Sequence, residues 1–209
     1  MGLASYEYIE FYNILKVMKD KEYIENILVY NLSPVIAGIK PASTITFKRN
    51  GDNSYDKWIR YGRGFIDDMD LKWLEIKSYN NVVIILIYNK YLLKEYLYKE
   101  DNKNLLIQIG YSEAKNIYEI LNVLKDRYSK CDCPHELGLF LGIPIKDVND
   151  FMSSNKKCLF CGYWKVYNDV EGAKKIFNKY DEIKEKIIIF ILKGERGMDL
   201  VGKVKYKYF

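Results

Sequence analysis

Residues 82–88 read V-V-I-I-L-I-Y and form the longest apolar run in the chain. A short, continuously apolar and β-branched run is typical of a strand that is buried on both faces of a sheet. We therefore predict a central strand at 82–88. Crossing a bilayer takes about 20 apolar residues, so the sequence predicts no membrane partner.

Patterns typical of helices surround this strand. Helical spacing of apolar residues predicts helices at 5–18, 20–31, 66–77, 90–98, 101–109, 112–127 and 171–193. Two further segments, 43–48 and 162–167, have the character of strands, and the polar stretch 49–64 is predicted to be a loop. A strand followed by packed helices indicates an α/β (mixed α+β) fold. We expect a helix-rich single domain, residues 1–209, with a small sheet.

The two ends of the chain differ from this pattern. Residues 1–20 are predicted to form an N-terminal helical appendage. In residues 198–209, basic and apolar side chains alternate. This alternation predicts either an edge strand, where lysines discourage aggregation, or a flexible tail.

The composition is that of a folded protein. Of the 209 residues, 49% are hydrophobic and 29% are charged, and the net charge is +5. This mild and dispersed excess of positive charge is weak evidence for a nucleic-acid partner. The N-terminus has neither the basic start nor the apolar segment of a secretion signal, so we expect a cytoplasmic location. In that compartment, cysteines are more often free thiols or metal ligands than disulfides.

All four cysteines and the single histidine lie between residues 131 and 161. Pro134 suits the first position of a helix, which places Cys133 at the N-cap and His135 and Glu136 in the first turn. The positive end of the helix dipole would favour a thiolate and a neutral imidazole, the forms that bind metals. Two further thiols have the spacing C-x-x-C, which lets one turn offer both sulfurs to one ion. These features predict a metal site for zinc or iron, with five candidate ligands: Cys131, Cys133, His135, Cys158 and Cys161.

Two alternatives remain open for the same stretch. In a thiol enzyme, Cys161 or Cys133 would be the nucleophile and His135 the base, with Glu136 or an aspartate orienting the imidazole. Alternatively, the cysteines are small buried hydrophobic residues without chemistry. The sequence does not decide whether the protein is an enzyme.

A third hypothesis is a non-enzymatic interaction module. Segments 134–141 and 145–154 have the spacing of a helix-turn-helix unit, which would contact nucleic acid or another protein. Nucleic acid is disfavoured because Asp147 and Asp150 at the start of the second helix would repel phosphates, an effect that nearby lysines offset only in part. Lys156 and Lys157 would give this unit a basic face. Arg60 and Arg63 in the predicted loop are expected to be surface residues, with an anion contact as the alternative. A small-molecule or protein partner and the oligomeric state stay undefined.

Two motifs resemble those of a family of uncharacterised bacterial proteins found mainly in clostridia and other anaerobic Firmicutes. They are C-P-H-E-L-G-L-F-L-G-I-P-I-K-D-V-N-D-F at 133–151 and C-G-Y-W-K-V-Y at 161–167, and the resemblance covers roughly residues 24–180. It implies a single-domain cytosolic bacterial protein and supplies no activity. Its motif residues carry over onto Lys40, Cys133, His135, Glu136, Cys161, Trp164 and Lys165. Lys40, Trp164 and Lys165 are therefore expected to bind a cofactor. Cys131 and Cys158 are less regular in the family, which shifts weight to the other candidate residues.

Overall fold

The strand predicted at 82–88 is the central strand of the sheet. The computed structural model describes residues 5–51, 53–131, 133–153 and 156–208. In it, β1 (Ala42–Lys48), β2 (Lys72–Tyr79) and β3 (Val82–Tyr88) form an antiparallel sheet in the order β1-β3-β2. The predictions of strands at 82–88 and 43–48 are therefore confirmed.

Helices occupy most of the remaining chain. Their bounds are α1 (Ser5–Val17), α2 (Asp20–Ile36), α3 (Ser54–Lys57), α4 (Arg63–Asp68), α5 (Lys90–Leu97), α6 (Glu100–Leu106), α7 (Ile117–Lys130), α8 (Leu137–Phe140), α9 (Ile145–Ser153), α10 (Val170–Leu192) and α11 (Gly197–Tyr208). The side chains of Asn89, Asn116 and Asp169 cap α5, α7 and α10 by accepting backbone N–H groups of the first turn. Within the described ranges, no helix has the length and apolar character that spanning a membrane requires.

The sheet lies between two layers of helices. On one face, Val83, Ile85 and Ile87 join a core with residues of α1, α2, α4, α10 and α11. On the other face, Leu86 and Tyr88 join a second core with residues of α5 to α9. Successive side chains of a strand point to opposite faces, so β3 contributes to both cores. The result is the single α+β domain that the sequence predicts.

A separate hairpin packs against the first half of α10. Its strands are β4 (Phe160–Cys161) and β5 (Lys165–Val166). The strand predicted at 162–167 thus corresponds to the turn and second strand of this hairpin and does not pair with the main sheet. The hairpin and α10 share a third, small core, formed by Trp164, Val166, Ala173, Phe177 and Tyr180.

The helix predicted at 66–77 and the loop predicted at 49–64 are both wrong. α4 ends at Asp68, and Asp70 has a φ of 60°, a left-handed conformation that a right-handed helix cannot continue through. The chain then enters β2. The stretch predicted as a loop contains α3, a π-helical turn at Trp58–Gly62 and the start of α4. It is ordered because the fully buried Trp58 stacks on Phe47, with 5.1 Å between ring centroids.

Both ends of the domain pack as helices. Phe11 and Leu15 of α1 are buried in the first core, so the described part of the predicted appendage lies against the domain. The tail, expected to be an edge strand or flexible, forms α11 up to Tyr208, and Leu200 and Val204 lie in the same core. Residues 1–4 and 209 lie outside the described residues. α2 also continues beyond its predicted end, through the buried Pro34 to Ile36.

Candidate functional site

The four cysteines are free thiols on different parts of the fold. Cys131 follows α7 and lines a cavity of about 640 Å³ between β2 and the end of α7. The sulfur of Cys133 lies 3.6 Å from the hydroxyl of Tyr128, whereas Cys158 and Cys161 belong to the hairpin region. Among the described residues, no three His, Cys, Asp or Glu side chains are placed to hold one metal ion. The five predicted ligands thus do not form one site there, and zinc or iron coordination stays a prediction.

The helix that was predicted to begin at Pro134, with Cys133 as its N-cap, begins three residues later. α8 starts at Leu137, and the N–H groups of Leu137 to Leu139 donate to carbonyls three residues back, as in a tight 3₁₀ turn. Cys133 is therefore not an N-cap, and the predicted effect of a helix dipole on Cys133 and His135 does not apply. His135 is exposed, with its ring 4.9 Å from that of Phe151. In the described part of the chain, no hydrogen bond joins it to a cysteine.

Glu136 has a structural role inside the second core. Its side chain is 2% exposed, accepts a hydrogen bond from the Tyr111 hydroxyl at 3.1 Å and forms an ion pair with Arg127. Arg127 also donates to the carbonyl oxygen of Ile109. Burial, followed by the charge of Glu136, raises the pKa of Tyr111. Because Glu136 is engaged in this network, it is not available to orient His135.

Asp147 holds the hairpin onto α9. Its buried carboxylate accepts four hydrogen bonds, from the indole N–H of Trp164 at 2.9 Å, the backbone N–H groups of Tyr167 and Asn168, and the side-chain amide of Asn168. Asp147 therefore points into the protein and would not meet a phosphate on the surface. The buried Trp164 is likewise part of this attachment. Lys165 is exposed, and its ammonium group lies 5.6 Å from the ring centroid of Phe151.

Of the three residues predicted to bind a cofactor, Lys40 lies in an unusual environment. It follows α2 and is partly buried, with its Nζ 5.8 Å from the ring centroid of Tyr180. It also borders a cavity of about 130 Å³, whose lining includes Tyr96 and Lys99. Burial, and secondarily the positive charge of Lys184, lower the pKa of Lys40 from 10.5 to about 8.

Lys184 approaches the same place from α10, one turn after Tyr180. Its Nζ lies 4.8 Å from the ring centroid of Tyr163 and 5.7 Å from that of Tyr30. The rings of Tyr163 and Tyr180 are 5.1 Å apart and nearly perpendicular. Lys40 thus lies over one ring of a contacting pair, and Lys184 lies over the other. Burial lowers the pKa of Lys184, and the negative charge of Asp181 partly opposes this effect. We call Lys40, Tyr163, Tyr180 and Lys184 the lysine–tyrosine site.

The tyrosines of this site stay neutral at physiological pH. Burial raises the pKa of Tyr180 and of the neighbouring Tyr30 to about 12. Burial and a 2.6 Å hydrogen bond to Asp181 also raise the pKa of Tyr163. The site therefore combines two partly buried amines with aromatic faces and protonated hydroxyls.

The other basic residues singled out by the sequence do not join this site. The guanidinium of Arg63 lies over the ring of Trp73 at 4.7 Å, and Arg60 is exposed on the π-helical turn at Trp58–Gly62. Lys156 pairs with Asp150 at 2.7 Å. In the proposed helix-turn-helix unit, α8 has only four residues, and residues 154 and 155 lie outside the described residues.

Sequence reasoning found Lys40 through the family resemblance but missed Tyr163, Tyr180 and Lys184 as site residues. Tyr180 lies on the apolar stripe of α10 and is buried. The available signal was the i, i+4 spacing of Tyr180 and Lys184, which places an amine beside the apolar stripe of a helix. The spacing alone does not predict that Lys40, 140 positions before Tyr180 in the sequence, lies over the ring of Tyr180.

The comparisons with known proteins find a family but no characterised relative. A family model described as a protein of unknown function matches residues 28–201, a range that includes the lysine–tyrosine site and all four cysteines. No curated protein and no solved structure matches the chain significantly. The expected restriction of the family to clostridia and other Firmicutes stays a prediction.

Proposed function

The chain belongs to the DUF3793 family of proteins of unknown function, and we propose that it binds a small anionic ligand at the lysine–tyrosine site. The ligand would carry a carboxylate or a phosphate group that the ammonium groups of Lys40 and Lys184 attract. One observation carries the proposal. The two amines are partly buried and lie over the contacting rings of Tyr180 and Tyr163, and the charge of Lys184 adds to the effect of burial in lowering the pKa of Lys40. Yet no ion pair involves either lysine across the described ranges.

Electrostatics explains why this arrangement favours an anion. Two like charges in a partly buried place raise the free energy of the folded protein unless one amine loses its proton or a negative charge binds between them. An anion would restore the ordinary protonation of Lys40 and would regain part of the hydration that burial removes. Lysine is a common partner of phosphate groups, which it binds as a point charge.

The surroundings favour a ligand of small size. The cavity beside Lys40 has a volume of about 130 Å³, which suits a single charged group rather than a drug-sized molecule. On the hairpin side, a second cavity of about 360 Å³ is lined by Tyr163, Phe177 and Asp181. The tyrosine faces attract ammonium groups and keep both amines in place when no ligand is bound.

The proposal changes the predicted set of binding residues. Lys40 is kept, whereas Trp164 is assigned to the attachment of the hairpin and Lys165 to the exposed surface near Phe151. Tyr163, Tyr180 and Lys184 take their places. The thiols and His135 have no role in this function.

Isothermal titration calorimetry with inorganic phosphate and with citrate tests the proposal. Wild-type protein should bind at least one of the two, and K40M and K184M should each weaken that binding about tenfold or more, since a hydrogen bond to a charged group contributes roughly 1.5–3 kcal/mol. K175M is the matched control, because Lys175 is an exposed lysine on the same helix and its removal should leave the affinity unchanged. Equal affinities in all four proteins would contradict the proposal.

A further inference from the structure

We propose that a cavity beside the π-helical turn at Ile107–Tyr111 binds a small amphiphilic anion with the chemistry of a medium-chain fatty acid. We call it the α6–α7 cavity, because its walls come from the end of α5, from α6 and the turn, and from the segment that leads into α7. Its volume is about 530 Å³, within the range of pockets that take small molecules. None of its lining residues belongs to the lysine–tyrosine site, so this inference is independent of the proposed function.

The floor of the α6–α7 cavity is apolar. Leu97, Leu106 and Ile120 line it and are buried in the second core. Tyr111 lines it as well, but its hydroxyl donates to Glu136 at 3.1 Å and is therefore engaged inside the protein. A ligand with polar groups along its whole length, such as a sugar, would gain no hydrogen bond from these four side chains and would lose hydration without compensation. An alkyl chain has no such cost and is stabilised by leaving water.

The mouth of the cavity is positively charged. Lys103 and Lys115 line the cavity and are exposed, so their alkyl stems can extend its apolar wall while their ammonium groups stay in water. Across the described ranges, neither lysine forms an ion pair. A third ammonium group lies nearby, since Lys94 is 5.5 Å from the ring centroid of Tyr98, another lining residue. An apolar floor below a basic mouth fits a ligand with an alkyl chain and one anionic head group.

The carboxylates near this mouth do not occupy it. No described residue that lines the cavity is acidic. Asp101 and Glu113 are each two positions from one of the rim lysines in the sequence, but both are exposed and neither lines the cavity. Glu119 is engaged at the start of α7, where its carboxylate accepts the backbone N–H of Lys115 at 2.7 Å and the side-chain amide of Asn116 at 2.6 Å. An anionic head group would therefore meet the two rim lysines without a competing carboxylate in the lining.

The backbone between α6 and α7 keeps the cavity open. α6 does not continue into α7, because Gly110 in the π-helical turn has a φ of 104°, a conformation that glycine adopts readily and other residues rarely do. The chain then passes through Ser112 and Ala114, which line the cavity, before Asn116 caps α7. π-helical turns are rare and occur frequently at functional sites. Since protein cores normally pack with few voids, core leucines that face an open cavity are a place where a ligand would gain contacts.

Isothermal titration calorimetry with hexanoate, octanoate and decanoate, each at concentrations that form no micelles, tests the proposal. We expect one saturable site per chain, with an affinity that rises about fourfold for each added methylene until the cavity is filled. Octan-1-ol has as many carbons as octanoate but no charge, and it should bind about tenfold more weakly or worse, because it lacks the charged hydrogen bonds to the rim lysines. Absence of binding by all three acids, or an affinity that does not depend on chain length, would overturn the proposal.

Substitutions locate the bound acid. K103M/K115M removes both rim charges and should weaken octanoate binding about tenfold or more, to the level of octan-1-ol. K125M is the matched control, because Lys125 is an exposed lysine of α7 that lines a different cavity, and its removal should leave the affinity unchanged. A114F places a ring in the cavity and should abolish binding. If K184M weakens octanoate binding and K103M/K115M does not, the acid occupies the lysine–tyrosine site and this inference is wrong.

Lysine acetylation gives a readout that does not depend on affinity. The wild-type protein is treated with acetic anhydride with and without saturating octanoate, and peptide mass spectrometry follows each lysine. Octanoate should slow the acetylation of Lys103 and Lys115 severalfold and leave that of Lys125 unchanged, whereas equal rates at all three would refute the site. Circular dichroism verifies the fold of each variant. Because both rim lysines are exposed, K103M/K115M tests the proposal even if A114F does not fold.

Discussion

Replacing Lys40 with methionine should stabilise the protein at neutral pH. Burial and the nearby Lys184 lower the pKa of Lys40 from 10.5 to about 8, and one pKa unit corresponds to about 1.4 kcal/mol. Keeping Lys40 charged in the folded protein therefore costs about 3 kcal/mol at pH 7, relative to the unfolded chain. Methionine has a similar length and no charge, so K40M removes this cost and keeps the packing on Tyr180.

The pH dependence of this effect has a defined sign. Below pH 8, Lys40 is protonated in both the folded and the unfolded state, and the full cost is present. Between pH 8 and pH 10.5 the folded protein binds fewer protons than the unfolded chain, so the wild type gains stability as the pH rises. The advantage of K40M should therefore be largest at pH 7 and should fall toward zero near pH 10.5.

Urea denaturation of both proteins at pH 7, 8, 9 and 10 measures this difference in the free energy of unfolding. K99M serves as the control, because Lys99 borders the same cavity but is exposed, and replacing an exposed lysine should change stability by less than about 0.5 kcal/mol. A K40M protein that is less stable than the wild type by the same amount at every pH would refute the reasoning. It would mean that the folded protein does not penalise the charge of Lys40.

Three further substitutions test the structural contacts, each by urea denaturation. D147A should destabilise the protein by about 3 kcal/mol or more and shift the tryptophan fluorescence to the red, because the buried indole and amide donors of the hairpin lose their acceptor. E136Q should destabilise by about 2 kcal/mol, since it leaves the partly exposed Arg127 without its carboxylate, and R127M/E136L should recover much of this loss. G142A should destabilise by about 2 kcal/mol because residue 142 has a φ of +79° and meets Pro41. The matched G64A, inside α4 with open space around its Cβ position, should stabilise by roughly 0.5–1 kcal/mol.

The elements that could be predicted are those whose pattern depends on one interaction. The run 82–88 is apolar at every position because both faces of β3 are covered. Its burial can therefore be predicted from its residues alone. The helix predicted at 171–193 agrees with α10 (Val170–Leu192) to within one residue at each end. There the apolar stripe follows the helical period, and Asp169 supplies the cap.

The elements that were predicted wrongly are those in which two patterns coincide. Ile66, Met69, Trp73 and Ile76 have the spacing of one helix face. Yet Ile66 lies in α4 and Met69 is its C-cap, whereas Trp73 and Ile76 belong to β2. The left-handed Asp70 separates the two pairs. Aspartate tolerates that conformation, but unlike glycine it does not indicate in the sequence that the backbone turns there. The tail was misjudged for the same reason, because short alternating stretches within α11 imitate a strand.

The candidate site was predictable only in part, because it depends on contacts between distant segments. Cysteine and histidine are candidate ligands or nucleophiles in any sequence because of their chemistry. In this structure they lie in exposed positions or on different parts of the fold. Lysine is common in this chain, and what distinguishes Lys40 is burial beside a second amine. Burial of that kind arises when the turn after α2, the hairpin and α10 come together, which no local pattern records.

Helix α10 connects two of the three cores along one axis. Its first half carries Phe177 and Tyr180 into the hairpin core, and its second half carries Ile187 and Ile191 into the core on the sheet. Lys184 lies on the turn between these halves. Amide hydrogen exchange along α10 should accordingly report two cooperative unfolding units, with slower exchange in the half that packs on the sheet. A ligand that ties Lys184 to the segment after α2 would couple these units, so its binding would be visible as slower exchange in the hairpin, a region that the ligand itself only borders.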